Sequence, residues 1–269
     1  MIFDLHNDYP TVLPRGKMLE YAENLTDNGT TATAAVFTSE LDAGMAMRTV
    51  TEVRGLLADS RADIPLSVED LGFLADDDID TFDFCGLFYC SLTWNYDNVY
   101  AGGALDGGKL TDKGKKLIEA MNGKCAVDLA HLNRRSFFDA LDCAQNPICS
   151  HTGFSEHPRC LNKAQISALA RRHVPIGLSV VAKFSGAKSA REFAVVIDKY
   201  VQCYGCDNLC IGTDFNGSID IPYDLSDYSM FATVVAELVA MGYTQRDCNK
   251  ILYDNANRFY KEIVGERHI

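Results

Sequence analysis

His6 and Asp8 stand two residues apart in "DLHNDYP", directly after an apolar run that opens the chain. On an extended segment that spacing points both side chains the same way. Four more residues of metal-ligating type close or follow other apolar runs: Glu69 in "PLSVE", His131 in "CAVDLAH", His151 in "PICSH" and Asp214 in "NLCIGTDF". Three imidazoles and three carboxylates suit Zn²⁺ or a similar divalent ion, and they exceed what one tetrahedral zinc takes. Two ions sharing a carboxylate would use them all. Such a pair, about 3.5 to 4 Å apart, can hold a bridging hydroxide as nucleophile and polarise a carbonyl. A nearby carboxylate would move the proton to a leaving amine.

Singly, each residue has a plainer role, because strand-end histidines usually hydrogen-bond and acidic residues there often cap the next helix. The joint pattern decides the reading. Of six histidines, three end strand-like runs, whereas His157 and His173 do not and His268 lies in the tail.

The elements that must position these residues are eight short β-branched or apolar runs: 2 to 6, 33 to 37, 65 to 69, 86 to 94, 125 to 131, 147 to 151, 175 to 181 and 208 to 215. Helical stretches are predicted at 40 to 59, 111 to 122, 134 to 144, 163 to 173 and 189 to 203, with two more after the eighth run, the last opening at Thr244 with Asp247 three residues on. The acid-rich connection at 70 to 84 is given only a short helix. Alternating β and α with eight strands reads as a (β/α)₈ TIM barrel of the α/β class, one catalytic domain spanning residues 1–269. All six candidate residues then fall at carboxyl ends of strands, the rim where such barrels build active sites.

A formal net charge of −12 and a pI of about 4.9 disfavour a nucleic-acid partner. No run approaches the roughly 20 apolar residues of a membrane helix, and His6 leaves no room for a signal peptide before it, so a cytoplasmic enzyme acting on a small molecule is expected. The ten cysteines are expected as buried thiols, and Cys203 and Cys206 form an isolated CxxC without a second pair to make a zinc site.

The residues resemble the membrane dipeptidase family of binuclear zinc peptidases, peptidase family M19. "DLHNDYP" is similar to that family's DGHNDLP, "SVED" to its I-E-G, and "LTDKGKKLIEAMNGKCAVDLAHLN" to its GLTxxGxxLVxxMNxxGxxxDxSHxx segment. "ICSHTGFSEHPRCLN" resembles SHS…HPRN, "IGTDFNG" resembles GSDFDG, and "DNANRFY" resembles GxNxxRVF. The matches run in order from residue 4 to about 260. The resemblance implies two divalent ions, most simply Zn²⁺, with His6 and Asp8 on one, Glu69 bridging, and His131 and His151 on the other. It implies that Asp214 shuttles the proton and that Arg159 clamps a substrate carboxylate with its guanidinium fork. The implied activity is dipeptide hydrolysis, with a dipeptide-like substrate as partner and a homodimer compatible with the reading.

Three positions depart from the family pattern. Trp94 stands where LTHN has histidine, Asn216 replaces the second Asp of DFDG, and Cys160 replaces the Asn of HPRN. An indole donates one hydrogen bond and carries no positive charge. Losing an oxyanion donor costs about 2.7 to 4 kcal/mol. The alternatives are therefore a related amidohydrolase acting on another small amide or lactam, and a weakly active or non-catalytic relative.

Overall fold

The computed structural model describes residues 1–75 and 78–265. His268, and Asp76 and Asp77 of the acid-rich connection, lie outside the described residues. Eight strands form a closed barrel in sequence order: β1 (Ile2–Asn7), β2 (Thr30–Phe37), β3 (Leu66–Glu69), β4 (Tyr89–Ser91), β5 (Ala126–Asp128), β6 (Pro147–Thr152), β7 (Ile176–Leu178) and β8 (Leu209–Ile211). All neighbours run parallel, and Asp4 opposite Ile211 closes the ring between β1 and β8. The strands read as nearly continuous apolar runs because both faces are covered. One side packs against the helices through Val36, Val68, Val127, Leu178 and Ile211. Phe3, Leu5, Ala126, Ile148 and Cys210 form a second cluster.

Besides two single turns at Tyr9–Val12 and Ala182–Ser185, the α-helices among the described residues are α1 (Arg15–Asp27), α2 (Ala43–Ala58), α3 (Asp112–Met121), α4 (Arg134–Cys143), α5 (Lys163–Arg171), α6 (Ala190–Tyr204), α7 (Phe231–Ala240), α8 (Gln245–Asn249) and α9 (Asn255–Gly265). Local chemistry sets their starts. Asp42, Thr111, Asn133, Asn162 and Ser189 each accept a first-turn backbone N–H of α2 to α6, which satisfies donors that would otherwise be orphaned. Thr244 and Asp247 complete a reciprocal capping box at α8. At the barrel end away from the candidate residues, Phe259 and Tyr260 of α9 pack on Phe88 and Phe3.

Four features differ from the sequence reading. Helix α1 lies between β1 and β2, where none is predicted; it buries only Met18 and Ala22 fully and so shows little apolar stripe. The connection after β3 contains a 3₁₀ turn at Leu71–Phe73, and among the described residues of 70 to 84 no α-helix forms. The paired parts of β4, β5, β7 and β8 are three residues each, shorter than the predicted runs. All ten cysteines are free, but Cys85 and Cys203 are exposed instead of buried. Among the described residues no helix is long and apolar enough to cross a membrane.

Candidate metal centre and its cavity

The short ladders change how the candidate residues reach the rim. Glu69 ends β3, His6 and His151 lie within β1 and β6, and Asp8 follows β1 directly. His131 and Asp214 instead sit three residues beyond their ladders, each in the left-handed region at φ 65°. Non-glycine residues rarely adopt that conformation, and where they do the surrounding structure must hold it. Two bulges add to the irregularity. β1 meets β2 at Asp4–Ala32 and next at Asn7–Ala34, and β6 meets β7 at Cys149–Ile176 and next at Thr152–Leu178. The extra residue in each case falls on the segment carrying a histidine, where a bulge re-aims side chains.

A buried network fixes the seam that carries Asp214. Asp4 accepts the backbone N–H of His6 at 3.1 Å and of Thr213 at 2.7 Å, with the Thr213 hydroxyl at 2.6 Å and the Tyr228 hydroxyl at 2.5 Å. The Asp214 N–H then donates to His6 O at 3.1 Å. Gly217 is required by close approach, since a Cβ there would collide with Asp8 Oδ2 and Asp214 Oδ1.

The six residues converge. Glu69 Oε1 lies 2.7 Å from His131 Nε2 and 3.6 Å from His151 Nε2, and its Oε2 is 3.6 Å from His6 Nε2. His6 Nε2 is 3.3 Å from Asp8 Oδ2, and His131 and His151 bring their Nε2 atoms within 3.0 Å of each other. Three overlapping ligand groups share these residues: His6, Asp8 and Glu69; Glu69, His131 and His151; and His6, His151 and Asp214.

Hydrogen bonds on the far side of each ring fix its tautomer. The Tyr89 hydroxyl donates to Leu5 O, so His6 Nδ1, 2.8 Å away, must donate to Tyr89. The Ser150 hydroxyl donates to Asp128 Oδ2, so His151 Nδ1 donates to Ser150 Oγ at 2.9 Å. His131 Nδ1 faces the Asn95 carbonyl oxygen at 3.0 Å and also donates. Each ring, once neutral, therefore turns an Nε2 lone pair toward Glu69. Buried lone pairs facing one another without a proton between them repel, and His6 Nε2 and Glu69 Oε1 make no hydrogen bond at all. Cations between them resolve both problems, so the residues fit a metal centre.

The charges agree. Burial, then the His6 and Arg159 charges, hold the His131 and His151 imidazoles well below the usual histidine range. Burial would also lower His6, but Asp8 and Glu69 overcome it and hold that imidazole up to about 10. Burial raises Glu69 to about 8, and burial with the Asp8 charge raises Asp214 to about 7. Metal-free protein at pH 7 thus keeps a proton on His6 that a ligand imidazole must give up. Zinc titrated into metal-free protein is expected to release at least one proton, and apparent affinity should strengthen as pH rises toward 10 and weaken as it falls. Calorimetry in buffers of different ionisation enthalpy checks this, and zinc uptake without proton release would refute it.

A cavity of about 260 Å³ opens above the cluster, lined by Asp8, Glu69, His131, His151 and Asp214 at its floor and by Phe37, Trp94 and Phe184 on its walls. Trp94 is half-buried on that wall, edge-to-face with Phe37 at 5.2 Å and 6.0 Å from the His131 ring. Arg159 is not among the lining residues. It is buried, donates to His151 O at 3.0 Å, and leaves its Nε unpartnered. Asn216, at φ 68°, donates to Asn7 Oδ1 at 2.7 Å. That oxygen already accepts from Tyr9 N, so an aspartate at position 216 would face another acceptor. Cys160 Sγ lies 3.5 Å from Phe184 O.

Sequence reasoning missed the partners that set the tautomers, namely Tyr89, Asn95, Ser150 and Asp128, and the clamp Asp4. Asp4 and Asp128 did leave a signal: each is a carboxylate inside an otherwise apolar strand, where burial demands hydrogen-bond partners.

Comparison with known proteins gives a consistent picture. The sequence model described as "Membrane dipeptidase (Peptidase family M19)" matches residues 32–267. A protein of Klebsiella pneumoniae, "Uncharacterized protein in pqqA 5'region", is 27% identical over 206 residues, covering 69% of this chain and 76% of that protein. "Dipeptidase tcpJ" of Claviceps purpurea is 26% identical over 192 residues, 66% of this chain but only 45% of the fungal protein. A metallo peptidase from Rhodobacter sphaeroides, solved with a phosphinate mimic of L-Ala-D-Ala, superposes with a TM-score of 0.81 over 97% of this chain and 98% of its own. At 18% identity that likeness concerns the fold.

Proposed function

The chain belongs to the membrane dipeptidase family, peptidase family M19, a hydrolase of the metallo-dipeptidase class, and from that premise we propose that it hydrolyses the peptide bond of small dipeptides at the centre around Glu69. The observation that carries this reading is the convergence of three Nε2 atoms, each ring anchored through Nδ1 on its far side, around one buried carboxylate. Two divalent ions, zinc by donor type, held by His6, Asp8, Glu69, His131 and His151, would supply an acidified water and a Lewis acid for the carbonyl.

The chain's own residues do the rest. Asp214, raised to about 7, can take a proton at neutral pH and return it to the leaving amine. Tyr89, Asn95 and Ser150 hold the imidazole planes and tautomers, and Arg159 supplies positive charge to the substrate's carboxylate end. Free thiols at all ten cysteines support a reducing, cytoplasmic setting. We take the whole span of 1–269 as one catalytic domain.

Hydrolysis of L,L and L,D dipeptides, with zinc measured on the same sample, tests the reading. Release of free amino acids with about two zincs per chain is expected, whereas a zinc-loaded chain inert to the whole panel would sink it. The L,D set is included because the Rhodobacter sphaeroides relative carries an L-Ala-D-Ala mimic.

Trp94 on the cavity wall favours a second reading, in which a different amide or lactam is the substrate. Under it, Trp94→His raises dipeptidase turnover by roughly 10²-fold, the worth of a restored oxyanion donor. An unchanged or slower rate removes that alternative.

A further inference from the structure

Aromatic rings and one carboxylate share a side of the cavity. Phe37 ends β2, Trp94 follows β4, and the two rings meet edge to face at 5.2 Å. Tyr96, exposed, extends the cluster outward at 6.4 Å from Trp94. Glu40 lines the same cavity three residues beyond Phe37, and among the described residues its carboxylate makes no hydrogen bond or ion pair. The turn that carries it is held, since the Thr38 hydroxyl donates to Glu69 O at 2.8 Å and Leu41 N donates to Thr38 O at 3.0 Å. Trp94 is held as well, because the next residue, Asn95, is bonded to His131 Nδ1. The other carboxylates of the lining, Asp8, Glu69 and Asp214, lie at the floor, where the ions of the proposed centre would offset them. Lys183 is the one lysine or arginine lining the cavity among the described residues; it follows β7, opposite β3 in the ring, and rests 4.9 Å from the centre of the Phe184 ring. Glu40 is therefore left as an uncommitted negative charge beside an aromatic surface.

We propose that Glu40, Trp94 and Phe37 form a specificity subsite for a cationic side chain, lysine or arginine, on the amino-terminal residue of the dipeptide. This rests on the dipeptidase reading above and deepens it by naming the substrate class. The carboxylate takes the charge, the indole face attracts it through its quadrupole, and the apolar wall covers the methylene stem. An indole offers a broader π face than the histidine of the family pattern and never carries the positive charge that would repel such a side chain. The placement follows from the ring order: β2 stands opposite β6, and Arg159, which the dipeptidase reading sets at the substrate's carboxylate end, follows β6. The amino-terminal residue then falls on the Glu40 side. The net charge of −12 draws cationic substrates toward the mouth.

The test compares kcat and KM for lysyl-alanine and norleucyl-alanine, which shares the stem and the α-amine but lacks the side-chain ammonium, using zinc-loaded wild type, Glu40→Gln, Trp94→Leu and Glu20→Gln. Wild type is expected to favour lysyl-alanine about tenfold in kcat/KM, mainly through KM. Glu40→Gln should raise KM for lysyl-alanine about fivefold and leave norleucyl-alanine nearly unchanged, and Trp94→Leu should cut the preference about threefold. Calorimetric Kd values for phosphinate mimics of the two dipeptides should follow the same order, and added salt should shrink the wild-type preference because Glu40 is exposed. Glu20→Gln removes the same charge from an exposed residue of α1 outside the cavity and should leave the preference intact. Alanyl-lysine and alanyl-norleucine should show no difference that depends on Glu40; if they do, the placement at the first residue is wrong. No preference in wild type, an unchanged preference in Glu40→Gln, or an equal loss in Glu20→Gln overturns the assignment. So does an equal loss on both amino-terminal substrates in Glu40→Gln, which would set Glu40 against the α-amine. If wild type cleaves no dipeptide, the dipeptidase reading fails and this proposal with it; an active wild type indifferent to Glu40 removes this proposal alone.

Discussion

Glu69→Gln is expected to strip the protein of metal and of activity together. Glu69 is 4% exposed, belongs to two of the three ligand groups, and reaches toward all three Nε2 atoms. Glutamine keeps the shape but removes the charge and replaces one acceptor by an N–H₂ group that cannot ligate. Losing even an outer partner of a ligand typically costs about 10- to 100-fold in affinity or activity, so loss of the carboxylate proposed to bridge two ions should cost about 10³-fold or more in kcat/KM. Zinc measured by mass spectrometry after dialysis should fall below one ion per chain. The metal-free variant should still fold: burial disfavours the Glu69 charge, as its raised pKa of about 8 records, so the neutral side chain is no less stable there. A variant that keeps two zincs and full turnover would show that Glu69 bridges nothing.

Asp214→Asn carries the second large effect and separates proton transfer from metal binding. The loss of a positioned general acid–base is worth roughly 10²- to 10⁴-fold in rate, and that loss should fall on kcat. Asparagine tolerates the left-handed backbone at φ 65° about as well as aspartate, so the loop that brings position 214 to His6 O should stay in place. Zinc content should remain near that of wild type. Because Asp214 also lies in a ligand group with His6 and His151, the outcome discriminates. Loss of one zinc in step with the rate would make it a ligand and not a proton carrier.

The barrel was legible because its strands are uniform apolar runs and its helices carry side-chain caps, two signals that act over a few residues. The convergence of His6, Asp8, Glu69, His131, His151 and Asp214 was legible for the same reason: a closed parallel barrel sends every strand end to one rim. What stayed hidden depends on contacts across the fold. No local pattern announces that His131 and Asp214 leave their ladders early and turn left-handed, or that β1 and β6 bulge beside their histidines. The acceptors for the three Nδ1 atoms come from residues 89, 95 and 150, and a tyrosine, an asparagine and a serine look ordinary along the chain. Helix α1 escaped because its buried face is narrow. The family resemblance marks Arg159, but its anchoring to His151 O is a contact across the fold that no motif announces.

Two cations beside one buried carboxylate are the central claim. An anomalous difference map from zinc-loaded crystals, recorded at the zinc edge, reads it directly. Two peaks about 3.5 to 4 Å apart, one on each side of Glu69 and in contact with the Nε2 atoms of His6, His131 and His151, are the predicted result. A single peak, or density bound anywhere other than this rim, would contradict it.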